Sequence, residues 1–129
     1  MSDAAQAANT FISGSIENAL KDFRVSFPCR VETFNKETCL ATIQPLLKHD
    51  DNVPALIQNV PAIGQRFLLE GEDTPRAYKP CLHTGDIVFV VCSDQEVKNA
   101  LSGALASPSS RRRHSLNDAV IIGVFPCSL

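Results

Sequence analysis

Arg111-Arg112-Arg113-His114 puts three guanidinium groups and an imidazole in consecutive positions of a 129-residue chain. A guanidinium matches phosphate oxygens with two parallel hydrogen bonds, so the run could hold a nucleic-acid backbone. The same group matches carboxylates, so the run could instead clamp acidic neighbours or lie as a solvated loop before Ala119-Val120-Ile121-Ile122-Gly123. Twelve basic against fourteen acidic residues give a formal net charge of -2, whereas a protein living on duplex DNA carries a clear positive excess. A single-strand binder needs aromatic platforms on which bases stack. This chain has no tryptophan, Tyr78 is its one tyrosine, and most of its seven phenylalanines fall in core-like patterns. Composition therefore favours the loop or carboxylate-clamp reading.

Other chemistry is sparser. His49, His83 and His114 lie far apart, and the short ligand spacings of zinc sites are missing around them. The acidic pairs Asp50-Asp51 and Glu70/Glu72-Asp73 sit in polar, loop-like stretches. General acid–base work would need a pocket around them that the sequence does not show. Phosphate-binding glycine loops, HExxH and GxSxG are absent. No catalytic, cofactor-binding or metal residue is expected, and the chain is not expected to be an enzyme. Cys29, Cys39, Cys81, Cys92 and Cys127 form no CxxC pair, and their odd number cannot close within one chain. Cys29, Cys39 and Cys92 stand in apolar runs and read as small buried hydrophobes in a reducing compartment. The first residues lack a signal peptide's basic-then-apolar build, and no apolar run approaches the roughly 18 residues of a membrane span. The expectation is a soluble protein made in the cytoplasm.

These residues need a scaffold, and 129 residues suffice for one domain. Ala8, Ile12, Ile16 and Leu20 recur every four residues, with Phe23 near the same face, which predicts a helix over Ser2–Leu20 capped by Ser2. So light a helix needs something to dock onto, either its own barrel or a neighbouring subunit. The period then changes to two. Val25, Phe27, Cys29, Val31 and Thr33 share one face, Asn35-Lys36-Glu37 turns the chain, and Cys39, Ala41 and Ile43 continue on the return. Pro28 and Pro45 must sit at an edge, bulge or strand end. Leu56, Ile57 and Val60 form broken extended pieces among prolines, Phe67-Leu68-Leu69 a short strand, and Glu70 to Pro80 a surface loop. Gly85-Asp86 is a turn before the clearest strand, Ile87–Cys92. Ser93 and Glu96 have capping-box spacing, predicting a short helix from Asp94 to about Leu101. The fold class is all-β: a small five-stranded barrel of the OB type over residues 23–129, with an N-terminal helix over 1–22 and a short helix before the last strand.

Arg112-Arg113-His114-Ser115-Leu116-Asn117-Asp118-Ala119, closing with Ile122-Gly123 and Pro126, resembles the end of the N-terminal barrel domain of the central spike and hub proteins of phage contractile-tail baseplates. Phe27-Pro28-Cys29-Arg30-Val31 after an amphipathic helix, Thr42-Ile43-Gln44-Pro45, Asn59-Val60-Pro61 and Gly85-Asp86 agree in order, so the resemblance covers nearly the whole chain. Cys29 departs from the glycine of many members, and Asn117-Asp118 varies the family's turn mildly. The resemblance implies a homotrimeric OB-fold structural protein of the virion, synthesised in the host cytoplasm. It would close the tail tube between a tail hub protein and a needle, with no catalytic residues. Such proteins continue into a needle where this chain stops at Leu129, so the needle is expected to be a separate protein, unless this is a blunt stopper or a piece cut at the domain boundary. Ile12, Ile16 and Leu20, together with Arg111, Arg112, Arg113 and His114, are the expected interface residues. A single-stranded nucleic-acid-binding OB module is the alternative.

Overall fold

A computed structural model describes residues 2–21, 24–48, 51–108 and 110–129. Phe23, His49 and Asp50, on which the sequence reading drew, lie outside the described residues.

Helix α1 spans Asp3–Lys21. Ser2 starts it as expected: its hydroxyl accepts from the Ala5 N–H at 3.3 Å and its carbonyl from the Gln6 N–H at 3.1 Å. The ridge of Ile12, Ile16 and Leu20 is more than half exposed along its whole length.

Strands β1 (Ser26–Asn35) and β2 (Leu40–Pro45) form the expected hairpin. The Asn35 side chain holds its turn by accepting from the N–H groups of Glu37 and Thr38. Phe27, Cys29 and Val31 point into the core from β1, and Ala41 and Ile43 from β2. The register shifts between Val31 and Thr33. One extra residue reverses the faces beyond it. Thr33, expected on the core face, is therefore exposed, and Phe34 packs against the core in its place. Cys39 is likewise no strand residue: it ends the turn in the left-handed region at φ 57°. Pro28 lies near the start of β1, where its carbonyl accepts from the Leu46 N–H just past the end of β2. Pro28 is the third residue of a strand paired on both sides, opposite Phe89, so it is no edge residue, and the bond its nitrogen cannot donate falls just beyond the end of β2.

Strand β3 (Ile57–Pro61) pairs irregularly with β2, as its flanking prolines require. The next segment overturns an expectation. Strand β4 (Gln65–Phe67) stops before Leu68, and β5 (Arg76–Tyr78) lies inside the supposed loop, pairing with it as a separate ribbon. Three residues are too few to show a period. The Phe67 and Tyr78 rings meet edge to face, with centroids 5.9 Å apart, and Gly64 permits a close approach at the ribbon's base. A Cβ there would stand 2.8 Å from the Tyr78 carbonyl oxygen.

Strand β6 (Ile87–Cys92) runs between β1 and β7 (Ala119–Val124), giving the order β3-β2-β1-β6-β7. Val88, Val90 and Cys92 face the core. On the other face Phe89 is half covered by Phe125, ring centroids 5.7 Å apart. The Gly85-Asp86 turn leads into β6 with Gly85 at φ 95° and the Asp86 carboxylate accepting from the His83 N–H at 2.8 Å. The sheet curls until its edges approach: Ala62 bridges in parallel to Ile121, and the Ile63 N–H donates to the Ile121 carbonyl at 3.2 Å. The result is a small, mostly β domain with an N-terminal helix and a curled, open half-barrel.

The helix expected over Asp94–Leu101 shrinks to a single 3-10 turn, Lys98–Ala100, with no side-chain cap. Asp118 takes the Val97 N–H, which would otherwise make the first helical bond back to Ser93, and its carbonyl accepts from the Ser93 N–H, holding the segment's start against the turn before β7.

Candidate functional site

Asp118 ends a second 3-10 turn, Leu116–Asp118, which Ser115 caps by accepting from the Asn117 N–H at 3.2 Å. The turn delivers the Asp118 side chain inward at the start of β7, where it is fully buried. A buried carboxylate must be paired and hydrogen-bonded to stay charged. Arg112 supplies the pair, donating from Nε to Oδ2 at 2.8 Å and from Nη2 to Oδ1 at 3.0 Å. The Val97 N–H adds a third bond to Oδ1 at 3.2 Å. Arg112's hydrogen bonds hold the Asp118 carboxyl below the usual carboxylate range, although burial and nearby Glu96 push the other way.

His114 fastens the same loop. It sits at φ 45°, where a residue with a Cβ is strained. Its N–H donates to the Asp94 carbonyl at 3.3 Å, and its carbonyl accepts from the Arg24 N–H at 2.9 Å. Its ring places Nδ1 3.3 Å from the Cys92 carbonyl and Nε2 3.4 Å from the Asp94 carboxylate. Arg113 reaches the other Asp94 oxygen at 3.5 Å, a pair open to solvent and of small worth. Arg111 is exposed and makes none of these contacts. The arginine run is thus largely a clamp on acidic side chains of its own chain, with one cation left facing outward.

The other singled-out residues do not converge. Cys81 Sγ and His83 Nε2 lie 3.9 Å apart in an exposed stretch. Among the described residues no three His, Cys, Asp or Glu side chains gather as a metal ion would require. Cys29 and Cys92 are buried; Cys39 is only partly so, while Cys81 and Cys127 are exposed. Burial pushes the Cys29 thiol up to about 12, with Cys92 adding to it. Burial also pushes Cys92 up to about 11, with Asp118 adding and Arg24 opposing. Neither is a nucleophile at neutral pH.

What sequence reasoning missed is the pivotal acid. Asp118 reads as one more turn residue in Ser-Leu-Asn-Asp, and only its isolation beside four β-branched or small apolar residues hints at burial. Asp94, expected to start a helix, is instead the shared partner of Arg113 and His114. Of the interface candidates, Ile12, Ile16 and Leu20 form an open ridge on α1, whereas Arg112 and His114 are half-buried in contacts with their own half-barrel. No helix among the described residues is long and apolar enough to cross a membrane. No protein-family model matches the chain, and no curated protein matches it.

Proposed function

We propose that this chain is an OB-type barrel working as an assembly module, a homotrimeric hub or spike component of a phage contractile-tail baseplate. In that role it closes the tail tube between a hub protein and a separate needle, within the virion. The observation that carries the assembly reading is α1, a 19-residue helix whose apolar ridge is uncovered in the single chain. Exposed contiguous apolar surface on this scale marks a protein interface. The order β3-β2-β1-β6-β7, with Ala62 just past β3 bridging in parallel to Ile121 of β7, supports an OB-type reading of the curled sheet. The tail itself rests on the ordered resemblance from Phe27 to Pro126. Native mass measurement at micromolar concentration is expected to give a trimer that co-purifies with a tail hub protein; a clean monomer that captures no hub protein sinks the reading.

The curled sheet taken alone supports a second and broader reading more directly than it supports a tail. OB barrels commonly bind single-stranded nucleic acid over their second and third strands and adjoining loops. Arg111, exposed and uncommitted, is the residue that favours this reading. Against it, Arg112 is spent on Asp118, and no aromatic platform lies on β2 or β3. Fluorescence anisotropy with a labelled single strand at low salt separates the two: salt-sensitive binding that Arg111→Ala weakens favours nucleic acid, and no binding ends that reading.

A further inference from the structure

We propose that the outer face of the β1–β2–β3 corner binds a neutral, hydroxyl-rich ligand, a saccharide chain. Such a site is independent of the assembly proposed above. Two bulges build it. In β1 one extra residue lies between Val31, paired with Ile43, and Thr33, paired with Thr42. In β3 two residues, Gln58 and Asn59, oppose the single Thr42, because Ala41 pairs with Val60 and Ile43 with Ile57. The bulges therefore flank Thr42 from both sides at one level of the sheet.

Bulges re-aim side chains and recur beside binding sites. The first one turns Thr33 out of the core row to stand opposite Thr42. The second leaves Asn59 exposed between buried Ile57 and Val60. Asn59 stands at φ 57°, left-handed backbone in the middle of a strand, which persists only where the surroundings enforce it. With Asn35 and Thr38 of the hairpin turn and Leu40 at the start of β2, these three line a cleft of about 420 Å³. Small-molecule sites span roughly 300–1,000 Å³.

The lining selects the class of ligand. None of the described residues that line the cleft is charged. Upstream on β1, Arg30 and Glu32 are spent on each other at 2.9 Å. Among the described residues, the side chains of Thr33, Thr38, Thr42 and Asn59 make no hydrogen bond within the chain. Asn35 Oδ1 accepts from the Glu37 and Thr38 N–H groups, which leaves its amide nitrogen to donate. Three hydroxyls and two amides thus offer donors and acceptors together. Half-buried Leu40 adds apolar contact for the C–H face of a sugar ring. A phosphate backbone would want cations and its bases open rings, but the ring at this cleft, Phe34, packs against the core. An apolar protein surface would strand the five polar groups unpaired.

Chemical-shift mapping on the isotope-labelled full chain tests this, with neutral trisaccharides of glucose, galactose and N-acetylglucosamine as probes. At least one is expected to move the backbone amide signals of Thr33, Thr42 and Asn59, saturably and without dependence on salt. Thr33→Val combined with Thr42→Val keeps the β-branched shape and removes both hydroxyls; it is expected to weaken that binding roughly tenfold. Asn59→Gly keeps the left-handed backbone, removes the amide and is expected to weaken it too. Far-UV circular dichroism checks that each variant is folded, and Asn59→Gly decides alone if the double variant is not. No shift at these residues with any of the three sugars overturns the inference, and so does binding that the folded variants leave unchanged. Salt-sensitive shifts at the same residues with oligothymidylate, and with no sugar, would give the face to nucleic acid and overturn the saccharide assignment.

Discussion

Arg112 closes Nε and Nη2 on the two carboxylate oxygens of Asp118, at 2.8 and 3.0 Å, and so ties the middle of the basic run to the 3-10 turn that precedes the closing strand. Arg112 remains about one-third exposed while Asp118 is wholly enclosed. The two partners are therefore not equivalent. An Arg112 left alone can turn to water, whereas an Asp118 left alone cannot.

Arg112→Met is accordingly expected to be the more damaging change at neutral pH. Stranding the Asp118 carboxylate costs about 3 kcal/mol, which lowers the melting temperature by roughly 10 °C in a domain of this size. Asp118→Asn keeps the shape, removes the buried charge and is expected to cost less. Thermal melts of the two variants at pH 7 check the order; equal losses would refute the asymmetry.

The acid limb of stability follows from the same pair. Asp118's folded value lies below the ordinary range, first because of the Arg112 hydrogen bonds. Between that value and the roughly 3.9 of an unfolded chain, the unfolded state binds more protons, so stability rises with pH across the window. The contribution is complete above about pH 5 and is lost as pH falls through the folded value. Melting temperatures between pH 2 and 6 are expected to fall toward acid in the parent chain and to show a flatter limb in Arg112→Met.

Thiol reactivity is expected to separate into classes. Cys81 and Cys127 are exposed and should alkylate within minutes at pH 8, with Cys39 slower. Cys29 and Cys92, pushed by burial to about 12 and about 11, should react only as the chain unfolds. Mass spectrometry after timed alkylation, with and without denaturant, reads the classes; rapid labelling of Cys29 in the native chain would contradict the packing of β1 on β6.

Gly64→Ala is expected to strain the β4–β5 ribbon, because the added methyl meets the Tyr78 carbonyl oxygen at 2.8 Å. A backbone atom cannot swing aside as a side-chain tip does, so the cost is about 1–3 kcal/mol, felt locally. Tyr78 is the one tyrosine and there is no tryptophan, so ultraviolet emission reports on this ribbon. A change in the intensity of that emission with little change in far-UV circular dichroism is the expected result.

Features that depend on neighbours a few residues apart are legible in the chain alone. The four-residue spacing of Ala8, Ile12, Ile16 and Leu20 with Ser2 ahead of it requires a capped helix. Alternation from Phe27 to Val31 and from Ala41 to Ile43 requires a hairpin about Asn35, and the β-branched run Ile87–Cys92 requires a central strand. Where the period is broken, or where a partner lies far along the chain, the outcome depends on contacts that exist only in the folded molecule. The bulge after Val31 exchanges Thr33 for Phe34 in the core, because one inserted residue reverses the faces of a strand. The 94–101 segment keeps only the 3-10 turn Lys98–Ala100, and the Val97 N–H, which would make the first helical bond back to Ser93, donates instead to the carboxylate of Asp118, more than twenty residues away. The arginine run illustrates both limits. Its composition allowed phosphate or carboxylate, and the choice fell to carboxylate because the fold buries an acid within reach of Arg112, and a buried charge must be paired.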